Sequence, residues 1–389
     1  MAVSHVCVPS RAPEMTAGQD RVPGMLEVLA QVTDPRRRRG RRFTLAFTLA
    51  VAVVCVLAGA RSFREIGDQA ADLPQDMLAA LGGAPCPLRR RIAVPSEKRI
   101  RTLLQDLDGD ALDVIVGGWL RSLAAAGKPA RPQDGPPEHV AIDGKWPRGV
   151  GDGQVKLFSA LQRGDGVIIA QTRILDETNE TTQVKTLLDA IDLTGAVVTA
   201  DAVHASRETA EHIAGQRGAD YLLMKGNTPG LQRAIFDKIQ AQCDAAAPDH
   251  SATDRGRIVR RSLWAAADGI DFPPAAQVIR IRRDTYDIDG TAIAKEIVHA
   301  ATSLDAKRAT PEALAGLARG QWAIEAVHWI RDTAYREDHS TGYAGDGPQV
   351  MATLREAISL LRIAGITAIA RTLQAFGRDR TRILDVIPP

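Results

Sequence analysis

Two apolar runs in this sequence end in a carboxylate. HVAID closes on Asp143, followed at once by Gly144, and AVVTAD closes on Asp201, followed by small residues. An Asp at the end of a buried strand sets its oxygens at the sheet edge, where a cation or a phosphate can approach. Two such strands make half of a metal site. Each Asp alone has an ordinary explanation, because Asp is common where a strand enters a turn and hydrogen-bonds its own backbone there. The pair carries more weight, since the two strands are neighbours in the sheet expected below. A phosphatase of the haloacid-dehalogenase type also begins from an Asp at a strand end, but it needs a second Asp two residues on, where this chain has Lys145.

The third chemical feature is RGQWAIEAVHWIRDTAYREDHS. Trp322, Glu325, His328, Trp329 and Asp332 recur at three- and four-residue steps, so a helix puts Glu325, His328 and Asp332 on one face beside aromatic residues. The plain alternative is a core of aromatics with acids on a solvated face. Trp322 and Trp329 are expected to pack the helix against the sheet and fix Glu325. Glu337 and Asp338 sit in the polar, glycine-terminated YREDHSTG, which is expected to fray or turn.

The elements that must position these groups follow from periodicity. Short β-like runs cover 139–143, 155–161, 166–175, 196–201 and 220–226, and helical patterns separate the later ones. Three strands followed by β-α units imply a mixed sheet with helices on its faces, the strand order of an α/β, ribonuclease-H-like fold. Three further β-like runs make a strand-rich insertion at about 256–302, and long helices return from Pro311 through Arg336 and from Pro348 to about Phe376. Residues 24–125 read as an all-helical unit in which Ser96 is a candidate N-cap. The Pro- and Gly-dense stretch 126–137 reads as a linker to a domain spanning 138–376. Residues 1–23 are expected to be disordered and 377–389 to form a tail.

The 389 residues are 45% hydrophobic and 25% charged, ordinary values for a folded protein of more than one unit. A net charge of +2 gives no footing for a nucleic-acid partner, but the distribution does. Arg36, Arg37, Arg38, Arg39, Arg41 and Arg42 crowd one turn with no acid among them, as expected of a phosphate-contacting surface. Arg89, Arg90, Arg91, Lys98, Arg99 and Arg101 form a second basic region. Lys225 could aim at a phosphate from a strand end, although Asn227 as a cap before Pro229 explains that motif equally well, and Asn179 also reads as a cap. Cys7, Cys55, Cys86 and Cys243 lack metal or redox spacing and suit a reducing cytoplasm. The first residues lack an apolar signal core, and Met15 or Met25 could equally be the start. The uncharged run from Phe43 to Gly59 is expected to be a buried core helix rather than a membrane span.

Several of these segments occur in the order and at the rough spacing of one family. AIDGK, VKLFSA, TNET at 178–181, VVTADA, DYLLMKGN, RGRI at 255–258 and QWAIEAVHWIRDTAYRED resemble the H-repeat-associated group of bacterial insertion-sequence transposases. DPRRRRGRRFTL, LAGARSFREIGD and VPSEKRIRTLLQDLD resemble that family's associated helical domain, so the likeness runs from about residue 24 to 365. Arg255, Val259, Lys156 and Gln321 depart from the residues usual in the family. The resemblance implies an Asp-Asp-Glu site made of Asp143, Asp201 and Glu325; His328 and Asp332, on the same helix face as Glu325, are accessory candidates. It also implies two Mg2+ ions about 4 Å apart, for which Mn2+ can substitute, bridged by carboxylate oxygens. The expected partner is double-stranded DNA, both element ends and target, engaged by a homodimer without any membrane, in the cytoplasm at the nucleoid. The activity implied is cleavage at terminal inverted repeats followed by strand transfer. A domesticated DNA-binding protein that no longer cuts and a plain metal-dependent nuclease share the same features.

Overall fold

The computed structural model describes residues 22–387 except 89, 127, 129–136, 146–155, 175–179, 202, 217, 226–228, 243–246, 255–256, 268–270, 273 and 340–343. Asn179, Asn227, Arg255, Arg89, the first 21 residues and the side chain of Lys225 lie outside the described residues.

Six helices come first: α1 (Met25–Leu29), α2 (Leu45–Leu57), α3 (Phe63–Ala71), α4 (Gln75–Ala80), α5 (Glu97–Asp106) and α6 (Gly109–Ala125). α2 is apolar all round and therefore buried all round, with every residue but Ala46 shielded from solvent. It begins at Thr44, whose hydroxyl accepts the Phe47 N–H. Among the described residues no helix is long and apolar enough to cross a membrane. Ser62 and Asp108 cap α3 and α6 through their side chains, whereas Ser96 occupies the N-cap of α5 without a side-chain cap bond.

The sheet follows the expected order: β1 (Glu138–Lys145), β2 (Lys156–Gln162), β3 (Val167–Ile174), α7 (Glu180–Asp189), β4 (Ala196–Ala200), α8 (Arg207–Gly215), β5 (Asp220–Lys225) and α9 (Pro229–Gln242). Then come β6 (Ala247–Asp254), β7 (Arg257–Ala267), β8 (Gln277–Asp287), β9 (Ala292–Thr302), α10 (Pro311–Tyr335), α11 (Gly347–Arg355), α12 (Ile358–Ile363) and α13 (Ile369–Arg378). The strands run β3-β2-β1-β4-β5-β9-β8-β7-β6 across one sheet. β1, β4 and β5 are parallel and their flanking partners antiparallel, so the first five strands carry the ribonuclease-H-like arrangement. The central strands are buried along their length, as parallel strands covered on both faces must be.

Two features differ from the sequence expectation. Among the described residues the insertion has four strands, not three, and starts at Ala247; β9 pairs with β5, from Leu222 opposite Thr302 to Lys225 opposite His299, and so extends the same sheet. Their first strand, β6, has the sequence APDHSATD, which lacks the apolar alternation that would announce it. The single long helix expected after Pro348 is three shorter ones, and Gly365, at φ +76°, ends the second as only glycine does easily. In the extension, Ile279 and Ile281 of β8 pack with Leu314 and Ala318 of α10, while Val278 packs with Ile235 and Ile239 of α9. Successive residues of the strand thus face opposite helices.

Candidate active site

Parallel pairing aligns Ile142 of β1 with Ala200 of β4. The next residue on each strand is an Asp, so Asp143 and Asp201 lie side by side where the β1–β4 pairing stops. β1 itself runs two residues further against β2, so Asp143 is not the last residue of its strand, which the sequence suggested it to be. Local backbone donors orient them: the Gly144 N–H binds one Asp143 oxygen at 2.9 Å, and the Val203 N–H binds Asp201 at 3.1 Å. The turn after β4 brings in His204, a buried side chain not singled out from the sequence. Donor atoms of Asp143, Asp201 and His204 all lie within 4.8 Å of one another. Its signal was present in AVVTADAVHAS, a histidine three residues beyond the strand-ending Asp.

Glu325 arrives on α10. The helix lies close to β1 because Gly320 has no side chain: a Cβ there would stand 2.2 Å from a carbon of the His139 ring. Gln321 then ties the helix to both acid-bearing strands. Its amide donates to the Ile142 carbonyl at 2.8 Å and accepts from the Thr199 hydroxyl, which also meets the His139 ring nitrogen at 2.8 Å. One helical turn onward is Glu325, exposed and outside the tight Asp-Asp-His group, yet close enough to feel both Asp charges. Burial, then Asp201, then Glu325 push the Asp143 carboxyl up to about 7. Burial and Asp201 raise Glu325 as well. With Asp143 and Glu325 both raised beside Asp201, a divalent cation there would relieve the repulsion.

The packing of α10 corrects the expectation about its tryptophans. Trp329 is 63% exposed and Trp322 half-buried, and the face on the protein is made by Gly320, Gln321, Ile324, Val327, His328 and Arg331. Small and polar residues can serve because the contact rests on close approach and hydrogen bonds rather than on ring area. His328 is buried, with Nδ1 3.5 Å from Asp143, and burial followed by Arg331 and Lys145 lowers its pKa to about 3, which keeps it neutral. Asp332 turns away from the acids and pairs with Lys145.

Glu337 lies in a turn, as expected, but it is firmly held rather than loose. It is 3% exposed, held by Arg331 at 2.7 and 2.9 Å, by Arg355 at 3.0 Å and by Lys145 at 3.3 Å. Burial alone would raise its carboxyl, but the three cations outweigh burial and hold it below the usual range. Residues 337–339 form a 3-10 turn in which the Glu337 charge is neutralised inside the protein.

The basic turn divides by role. Arg36 is half-buried and binds Asp34 and the Phe43 carbonyl, and Arg41 donates to the carbonyls of Arg36 and Asp34. Arg37, Arg38, Arg39 and Arg42 point into solvent, as do Lys98 and Arg99 on α5.

Sheet order and strand-end acids define a protein of the ribonuclease-H-like DDE class. The chain belongs to the DDE transposase family: residues 132–361 match the transposase DDE domain, and residues 26–120 match the domain associated with it. It is similar to a candidate transposase, YncI, of Escherichia coli O157:H7, at 25% identity over 88% of either chain. An H repeat-associated candidate transposase of Escherichia coli strain K12, YhhI, is 24% identical over 64% of this chain and 71% of its own. A second one from that strain, YbfD, is 33% identical over 25% of this chain and 41% of its own. The DDE domain implies use of a divalent metal.

Proposed function

We propose that this protein cuts DNA at the ends of its own mobile element and joins the freed ends to target DNA, with Asp143, Asp201 and Glu325 as metal-holding residues. The observation that carries this is the Ile142–Ala200 register, which delivers two carboxylates to one edge of the sheet beside the helix bearing the third. Two bound divalent cations, Mg2+ or Mn2+, would supply an activated water or 3′-hydroxyl and a stabilised leaving oxygen. Asp143 and Asp201 hold and orient that centre, and Glu325 closes it from α10. His328, neutral and wedged against Asp143, limits how far that carboxylate can swing. The exposed arginines of the basic turn, with Lys98, Arg99 and Lys225, would contact phosphates. A homodimer assembled on DNA completes this reading, in which residues 24–125 form the DNA-binding unit, 138–376 the catalytic unit, and cytoplasmic action at the nucleoid follows.

A pre-cut DNA end with a free 3′-hydroxyl, offered with Mg2+ and a target duplex, tests it. The expected result is joining by the wild type and loss of both nicking and joining, by at least about a hundredfold, in Asp143→Asn and Asp201→Asn that remain folded. Undiminished cleavage by either variant overturns the metal assignment. Cleavage without joining would identify a nuclease.

A further inference from the structure

We propose that His204 is a nitrogen ligand of the cation held by Asp143 and Asp201, which makes this centre prefer Mn2+ to Mg2+. The inference rests on the reading of those two acids as a cation site and goes beyond it in the donor set.

The placement is built into the fold. β1 and β2 pair Gly144 with Phe158, one residue beyond Asp143, which places Phe158 at the level of the strand ends. The His204 ring lies on Phe158, with centroids 4.4 Å apart and planes tilted by 53°, and the residue is only 6% exposed. His204, three residues after Asp201, thus sets an imidazole on an aromatic support beside the two acids. A donor atom of that ring comes within 4.8 Å of oxygens from both carboxylates, a spread that one ion can bridge. A histidine serving only as core would need no such proximity to two acids.

The donor set has a chemical consequence. Mg2+ strongly prefers oxygen ligands and keeps much of its water, so a buried imidazole adds little to its binding. Mn2+ accepts one nitrogen among carboxylate oxygens more readily. Replacing His204 should therefore penalise Mn2+ selectively, whereas loss of a carboxylate should penalise both ions.

The test uses the full chain, freed of metal and titrated with Mn2+ or Mg2+, with bound Mn2+ followed by electron paramagnetic resonance. Electron spin-echo modulation from a coordinated 14N nucleus is the direct signature. The expected result is 14N modulation in the wild type that disappears in His204→Gln. Mn2+ affinity should fall at least about tenfold in that variant while Mg2+ affinity changes little. His204→Asn repeats the measurement if glutamine disturbs the Phe158 stack, and thermal unfolding without metal checks each fold. Bound Mn2+ without 14N modulation in the wild type overturns the inference, as does modulation that persists in both variants, which would assign the nitrogen elsewhere. Asp143→Asn separates the levels: if Mn2+ binding ignores that substitution, the underlying cation site fails as well. If binding depends on Asp143 but carries no His204 nitrogen, only the present inference fails.

Discussion

Asp143 keeps a proton in the folded, metal-free protein that it would give up in the unfolded chain. Its carboxyl rises from 3.8 to about 7 under burial and the charges of Asp201 and Glu325. Between those values the native state binds the proton and the unfolded state does not, so the group's stabilising contribution is complete below 3.8 and lost as pH rises through about 7. With EDTA present, the melting temperature of the wild type should drop more steeply from about pH 5 to about pH 8 than that of Asp143→Asn. Asp113 and Glu356, also buried and raised, act in the same direction in both proteins, and the difference between the two profiles removes them. Parallel profiles would show that Asp143 is not strained by its neighbours. The strand-ending acids were legible because the signal is local: an apolar run, then a carboxylate, then a small residue. His204 was hidden by the same locality, since its support, Phe158, is 46 positions upstream and no spacing rule connects them.

At the scale of the element, α10 and the turn that follows it carry two glutamates with opposite duties. Glu325 is exposed and makes none of the ties that hold the helix, so Glu325→Gln should leave the unfolding midpoint almost unchanged while nicking and joining of end-containing DNA are lost. Glu337 lies just beyond the helix between Arg331, Arg355 and Lys145, each no more than 5% exposed. Removing its charge leaves buried cations uncompensated, a situation that costs about 3 to 5 kcal/mol. Glu337→Gln should therefore unfold at clearly lower denaturant, and its lost activity should track the folded fraction. Asp338→Asn, half-buried and 3.8 Å from Lys145, should stay active. A Glu337→Gln protein of wild-type stability that cannot cut would move the third acid to that position. Helical periodicity in the sequence was enough to predict a continuous α10, whereas Glu325 was preferred on the resemblance and on a tryptophan packing that the helix does not have. Periodicity could not reveal which face meets the sheet, because that depends on Gly320 and Gln321 approaching His139 and Ile142 from more than 170 positions away.

Across the whole molecule, the basic turn and the acidic centre belong to one packed body. If Arg38, Arg39 and Arg42 touch phosphates, replacing all three with alanine should weaken binding similarly on every DNA sequence. The slope of log affinity against log salt should flatten by roughly one for each phosphate no longer neutralised. An unchanged slope would make them a solvated turn; Arg36→Ala should instead act on folding, since Arg36 holds the turn together.

The helical unit is also packed on the sheet that carries Asp143 and Asp201, which bears on whether residues 126–389 can stand alone. α6 lies against β3 so tightly that a Cβ on Gly117 would stand 2.6 Å from the Ile169 carbonyl. Asp113 of α6 is buried under Gln349 and Thr353 of α11 and Gln171 of β3, and Arg355 donates to the Arg61 carbonyl. One hydrophobic cluster runs from Met25 to Ile387, including Phe376, Ile383, Val386 and Ile387 in and just before the segment set apart as a tail. The polar contacts continue inward from Asp113 through Gln171, Arg331 and Glu337 to Lys145, two residues past Asp143. A fragment lacking α1 to α6 would expose β3 and α11 to water and break that chain at its outer end. We expect the fragment 126–389 to be insoluble or to melt without a cooperative transition, and to bind Mn2+ far more weakly than the full chain. A soluble fragment with a single sharp transition and full cation affinity would show that the helical unit is only tethered, and that DNA bound there could not bias the acids through packed side chains.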